Sequence, residues 1–178
     1  MSQYAVLNAV GEDKPGLVAA VSSYILKHGC NIEDSRMAVL GGEFAMLILV
    51  SGEPGALDRL ESGASAAGKL AGLTMSTRRT RSPAETGGRA ALPFEIAAYS
   101  MDHPGIVQRV AQFLAERQIN IRALDTRVDP APHTGQPLFT MQGVVEIPTG
   151  ASVAEVRKGL EQIGAAENID IQLKPAKG

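Results

Sequence analysis

One phrase occurs twice in this chain, and it limits the possible folds more than any other feature. Asp13-Lys14-Pro15-Gly16-Leu17-Val18 returns as Asp102-His103-Pro104-Gly105-Ile106-Val107, displaced by 89 residues. The match continues at that offset: Val21 meets Val110, Asn31-Ile32 meets Asn120-Ile121, and Val39 meets Val128. Eight of the 27 positions from Asp13 to Val39 are identical, without a gap. Internal repetition on this scale means one folding unit used twice. The 178 residues then divide into units over 1–79 and 92–178, with a linker over 80–91 rich in Arg, Ser, Gly and Ala. Each unit is small enough that its core is modest, so association with another unit or a second copy is expected.

Within a unit the pattern predicts β-α-β-β-α-β. Tyr4–Val10 is a short apolar run, and Leu17, Val21, Tyr24 and Ile25 follow helical spacing from a helix expected to begin at Pro15. Asn31–Leu40 and Phe44–Val50 flank Gly41-Gly42, which predicts a hairpin. Pro54-Gly55 opens a second helix with Leu57, Leu60, Ala64 and Ala67 inward, and Leu73–Thr77 is the last strand. The second copy repeats the order. There the tight turn gives way to Asp129–Pro137, whose three prolines predict a longer exposed loop. The fold class expected is α+β: two ferredoxin-like βαββαβ domains, each a four-stranded antiparallel sheet with two helices on one face.

Composition narrows the function. A net charge of −2 offers no general attraction for nucleic acid or a membrane surface. A lone cysteine, Cys30, leaves no internal disulfide framework and fits a reducing compartment. The first residues enter a strand pattern without a basic and apolar leader, and no run of about 18 apolar residues exists. A cytoplasmic protein is expected. His28, His103, His133 and Cys30 show no metal-ligand spacing, and no cofactor motif is present. Ser100, Asp102 and His103 fall in one loop with no nucleophile elbow, so an enzyme is not expected. Arg78, Arg79 and Arg81 form a basic cluster that suits either solvent or an acidic protein.

The repeated turn suits a small zwitterion. N–H groups at Gly16, Leu17 and Val18, or at Gly105, Ile106 and Val107, can hold a carboxylate at a helix start. Asp13 or Asp102 can accept an ammonium, or can cap the turn. Asn31 and Asn120 offer donors and an acceptor, or else end a helix in the left-handed conformation. A helix separates Asp13 from Asn31 and carries the chain to the far end of the sheet. Paired units would instead bring Asp13 to Asn120 and Asp102 to Asn31.

An apolar strand, Asp-x-Pro-Gly-(Leu/Ile)-Val and an amphipathic helix ending in Asn-Ile resemble the ACT domain. Two copies with little else resemble the glycine cleavage system transcriptional repressor group of tandem ACT proteins. The resemblance runs from about Tyr4 to Leu173. It implies a regulatory protein that binds an amino acid, glycine in that group, between paired domains. It also implies action through a protein partner, a DNA-binding activator, with no direct contact to nucleic acid. Ligand contacts would fall on Gly11, Asp13, Pro15, Gly16, Leu17, Val18 and Asn31, and on Ser100, Asp102, His103, Pro104, Gly105, Ile106, Val107 and Asn120. Two alternatives stay open: a regulatory subunit of an amino-acid-metabolism enzyme, and a ligand-free dimerisation module.

Overall fold

The computed structural model describes residues 2–85, 90–132 and 134–176. The chain splits into two compact units, Met1–Gly87 and Gly88–Gly178. In the first, β1 (Gln3–Glu12), α1 (Leu17–Lys27), β2 (Asn31–Leu40), β3 (Glu43–Gly52), α2 (Pro54–Ala71) and β4 (Thr74–Thr80) follow one another. In the second come β5 (Ala91–Met101), α3 (Ile106–Glu116), β6 (Asn120–Pro130), β7 (Pro137–Pro148), α4 (Val153–Glu167) and β8 (Asp170–Pro175). The sheets run β2-β3-β1-β4 and β6-β7-β5-β8, antiparallel throughout. Both units therefore have the ferredoxin-like βαββαβ architecture.

Alternation decides which sheet face is covered. Ala5, Leu7 and Ala9 of β1 and Phe44, Met46, Ile48 and Val50 of β3 are buried against the helices. Leu17, Val21 and Ile25 of α1 and Leu57, Leu60 and Ala64 of α2 meet them. In the second unit Ile96, Ala98, Met141, Val145 and Ile147 play the sheet's part, and Ile106, Val110, Phe113, Leu114, Val156 and Leu160 the helices'. The opposite face is bare: Val10 and Leu47 are 46% and 53% exposed, and Tyr99 is 42% exposed.

Two details differ from the sequence reading. The first helix starts at Leu17, not at Pro15, because Gly16 has φ 94° and ψ −6°, and Gly105 likewise has φ 102° and ψ −8°. Those angles belong to the third residue of a type II turn, where Pro precedes and Gly alone fits well. In the second hairpin the ladder extends to Pro130 and Pro137, which face each other in register. Only 131–136 lie between, and the Ala131 N–H donates to the Gln136 carbonyl at 2.7 Å, so the loop is shorter and more closed than three prolines suggested. Both prolines stand where the strands end, a position that needs little from a missing N–H. His133 lies outside the described residues, as do residues 86–89 of the expected linker.

Candidate functional site

The Pro-Gly turns are built alike in both units. The Asp13 N–H donates to the Gly42 carbonyl at 2.9 Å, and the Asp102 N–H to the Pro137 carbonyl at 3.0 Å. Each pins the loop to the neighbouring hairpin. The helix then opens with no side-chain cap on either α1 or α3, so the capping alternative for Asp13 and Asp102 is not used. The first bonds within the helices come from Ala20 to the Gly16 carbonyl and from Arg109 to the Gly105 carbonyl. The N–H groups ahead of them have no acceptor within the helix. Leu17 and Ile106 are only 3% and 2% exposed, so their side chains serve the core. Pro15, Gly16, Val18, Pro104, Gly105 and Val107 are exposed.

The rest of each loop is held by packing. A Cβ on Gly11 would meet the Gly72 carbonyl oxygen at 2.6 Å, so β1 and the end of α2 touch here. Lys14 brings its Nζ over Gly72, placing a cation at the C-terminal end of α2, where the helix dipole favours it. The second unit has Ser100 and His103 at these positions. The Ser100 Oγ donates to the Met101 carbonyl at 2.9 Å, and His103 Nδ1 lies 3.3 Å from the Pro104 carbonyl, so serine and imidazole are not joined. The buried Nε2 of His103 has no hydrogen-bond partner among the described residues.

Asn31 and Asn120 are the first residues of β2 and β6. Neither closes a helix: the left-handed residues there are Gly29, φ 72°, and Gln118, φ 55°. Register places Asn31 opposite Ser51, which faces Tyr4, whereas Asp13 follows Glu12 at the other end of β1. Eight strand residues, roughly 26 Å, separate the two ends. The second unit has the same layout, with Asn120 opposite Glu146 and Asp102 beyond Met101. No unit brings its own Asp and Asn together.

Each asparagine is tied to a carboxylate that the sequence did not single out. Asn31 Nδ2 donates to Glu33 Oε1 at 3.2 Å, and the Ser51 hydroxyl donates to the same oxygen. These two donors, serine first, hold the Glu33 carboxyl below its ordinary pKa. Asn120 Nδ2 donates to Glu146 Oε2 at 3.1 Å. Glu33 is the extra residue of a β-bulge between Ile32 and Asp34, and β6 carries a bulge between Ile121 and Ala123.

Arg79 reaches α2, bonded to Asp58 at 2.5 Å and Glu61 at 3.1 Å, and Arg78, Arg79 and Arg81 all line a hollow of about 710 Å³ with Val6 and Asn8. A second hollow, about 430 Å³, lies on the bare face of the other sheet among Glu95, Tyr99, Asp125 and Lys174. Neither contains the Pro-Gly turns. Among the described residues, no three His, Cys, Asp or Glu side chains are grouped to hold a metal, and no helix is long and apolar enough to cross a membrane.

Residues 3–78 match the family model of the ACT domain, and the second unit repeats its element and strand order. The first unit is thus an ACT domain, and the two units together have the tandem ACT fold. It is similar to the glycine cleavage system transcriptional repressor of Escherichia coli strain K12, 28% identical over 160 residues that cover 90% of this chain and 83% of the repressor. A solved structure assigned as a glycine cleavage system transcriptional repressor aligns with a TM-score of 0.74 at 27% identity, over 100% of this chain and 99% of that one. The structure of an unknown protein from Galdieria sulphuraria aligns with a TM-score of 0.83 at 31% identity, over 99% and 100%.

Proposed function

We propose that this chain is a non-enzymatic regulator that senses a small amino acid, glycine first among the candidates, and passes its state to a protein partner such as a transcriptional regulator. The observation that carries the reading is the uncapped helix start built twice by the same type II turn. It suits a carboxylate because backbone donors and the helix dipole point the same way. Asp13 or Asp102 stands beside it for the ammonium. Because Asp13 and Asn31 sit at opposite ends of one sheet, the amide completing a site comes from a paired unit, of the same chain or of a second copy. Likeness to the repressor supports the regulatory half of the reading. The ligand acts by favouring one pairing over another, which requires unequal affinity for the two.

Calorimetry on the full chain with glycine, L-serine and L-alanine tests this. At least one is expected to bind. Asp13→Ala and Asn120→Ala should weaken one site, and Asp102→Ala and Asn31→Ala the other, each by about ten-fold to a hundred-fold for one charge-assisted hydrogen bond. Absence of binding by all three would leave a ligand-free pairing module. Capture of an enzyme in place of a transcription factor would redirect the partner.

A further inference from the structure

We infer that Glu33 and Glu146 are specificity-determining residues of the amino-acid sites, which orient Asn31 and Asn120 and make the asparagine end of each site a receptor for the ligand's ammonium. The inference rests on the proposed sensing function and names the groups that select its ligand class. Its basis is a contact made in both units by different means. In the first, the carboxylate comes from the bulge of β2 itself. In the second, the bulge position carries Arg122, and the carboxylate comes from the neighbouring strand β7 instead. The same amide–carboxylate bond is thus reached from two positions in the sequence. A packing requirement does not explain this, because Asn31 and Asn120 are both exposed.

The chemistry of the bond fixes the amide. An ionised carboxylate only accepts hydrogen bonds, so the amide atom against it is the NH2 group, whatever rotation of the amide is drawn. The carbonyl oxygen of each asparagine is then turned away from the carboxylate as an acceptor. Each carboxylate also has a second oxygen. Glu33 takes both Asn31 and Ser51 on Oε1, and Glu146 takes Asn120 on Oε2. No bond to Glu33 Oε2 or Glu146 Oε1 occurs among the described residues. Each unit therefore presents an amide oxygen beside a carboxylate oxygen that carries negative charge. An ammonium, with three donors and a positive charge, matches that pair. A hydroxyl offers one donor and no charge, and a carboxylate is repelled. The ligand's carboxylate stays at the helix start of the paired unit, and its ammonium is shared between that unit's Asp13 or Asp102 and the amide–carboxylate pair. By the pairing proposed above, Glu146 serves the site of Asp13 and Glu33 the site of Asp102.

The test uses isosteric neutral variants of the full chain, Glu33→Gln, Glu146→Gln and the double variant. Affinities are measured for glycine against glycolate, L-alanine against L-lactate and L-serine against L-glycerate, pairs that differ only in amine or hydroxyl. The wild-type chain should prefer the amino acid. Glu146→Gln and Glu33→Gln should each weaken amino-acid binding at one site by roughly ten-fold to a hundred-fold while leaving the hydroxy acid unchanged or tighter, so preference collapses in the double variant. Preference kept in the double variant would overturn the inference and leave the ammonium to Asp13 and Asp102 alone. Equal weakening of both ligands would also overturn it, assigning the glutamates to local structure alone. If the wild-type chain binds no amino acid, the sensing function itself fails and takes the inference with it.

Discussion

Glu33 is an exposed carboxylate with two neutral donors on one oxygen, and its depressed pKa records them. A carboxyl whose folded pKa lies below its unfolded value contributes stability above the ordinary carboxylate range, and that contribution is lost as pH falls through the depressed value. Ser51→Ala removes the leading donor, so an NMR titration should find the Glu33 pKa raised toward the ordinary range. Cys30 shows the opposite case: burial raises its thiol pKa against the opposing charges of Arg59 and Arg79, so it stays protonated near neutral pH. At this scale the sequence was partly legible. Repetition marked Asn31 and Asn120, but it could not mark their partners. The offset that aligns the asparagines sets Glu33 against Arg122, and Ser51 meets its counterpart Glu146 only once the strands are in register.

Elements end on shared devices. The Leu73 N–H donates to the Gly68 carbonyl at 2.8 Å and the Ile169 N–H to the Gly164 carbonyl at 2.9 Å, closing α2 and α4 the same way. At both glycines the following strand crosses the helix closely: a Cβ on Gly68 would meet the Leu73 carbonyl oxygen at 2.7 Å, and one on Gly164 the Ile169 carbonyl oxygen at 2.4 Å. Ala is ordinarily the better helix residue by about 1 kcal/mol. Here Gly68→Ala should instead destabilise by roughly 1–2 kcal/mol, since overpacking against backbone outweighs the propensity gain. Chemical denaturation gives the sign directly. Order and type of every element were legible from apolar spacing and from the Pro-Gly and Gly-Gly turns. The helix start was misplaced because proline is equally at home at the first helical position and in the turn before it. The bulges left no mark, since nothing in Ile-Glu-Asp or Ile-Arg-Ala distinguishes an extra residue from a paired one.

For the molecule as a whole, burial separates into two cores, one drawn from residues between Ala5 and Met75 and the other from residues between Phe94 and Leu173. We propose that each unit folds alone. Residues 1–87 and 88–178 produced separately should each unfold cooperatively, with circular dichroism spectra that sum to that of the intact chain. A fragment that stays unfolded would show that it draws stability from the other. The two-fold organisation is written in the amino-acid repeat itself. How the units pair is not, because the positions that match are those each unit needs for itself.

β2 is exposed along all ten of its residues at the margin of its sheet, and β6 is nearly so. A long straight margin is a template on which further chains polymerise. The displaced residue in each strand spoils that template, since a locally twisted edge does not take up a new strand in continuous register. Deleting Glu33 would leave β2 free to pair without interruption. The deletion variant should form thioflavin-positive fibres under conditions that keep the parent chain clear, which would make the bulge a safeguard of solubility in addition to a mount for a carboxylate.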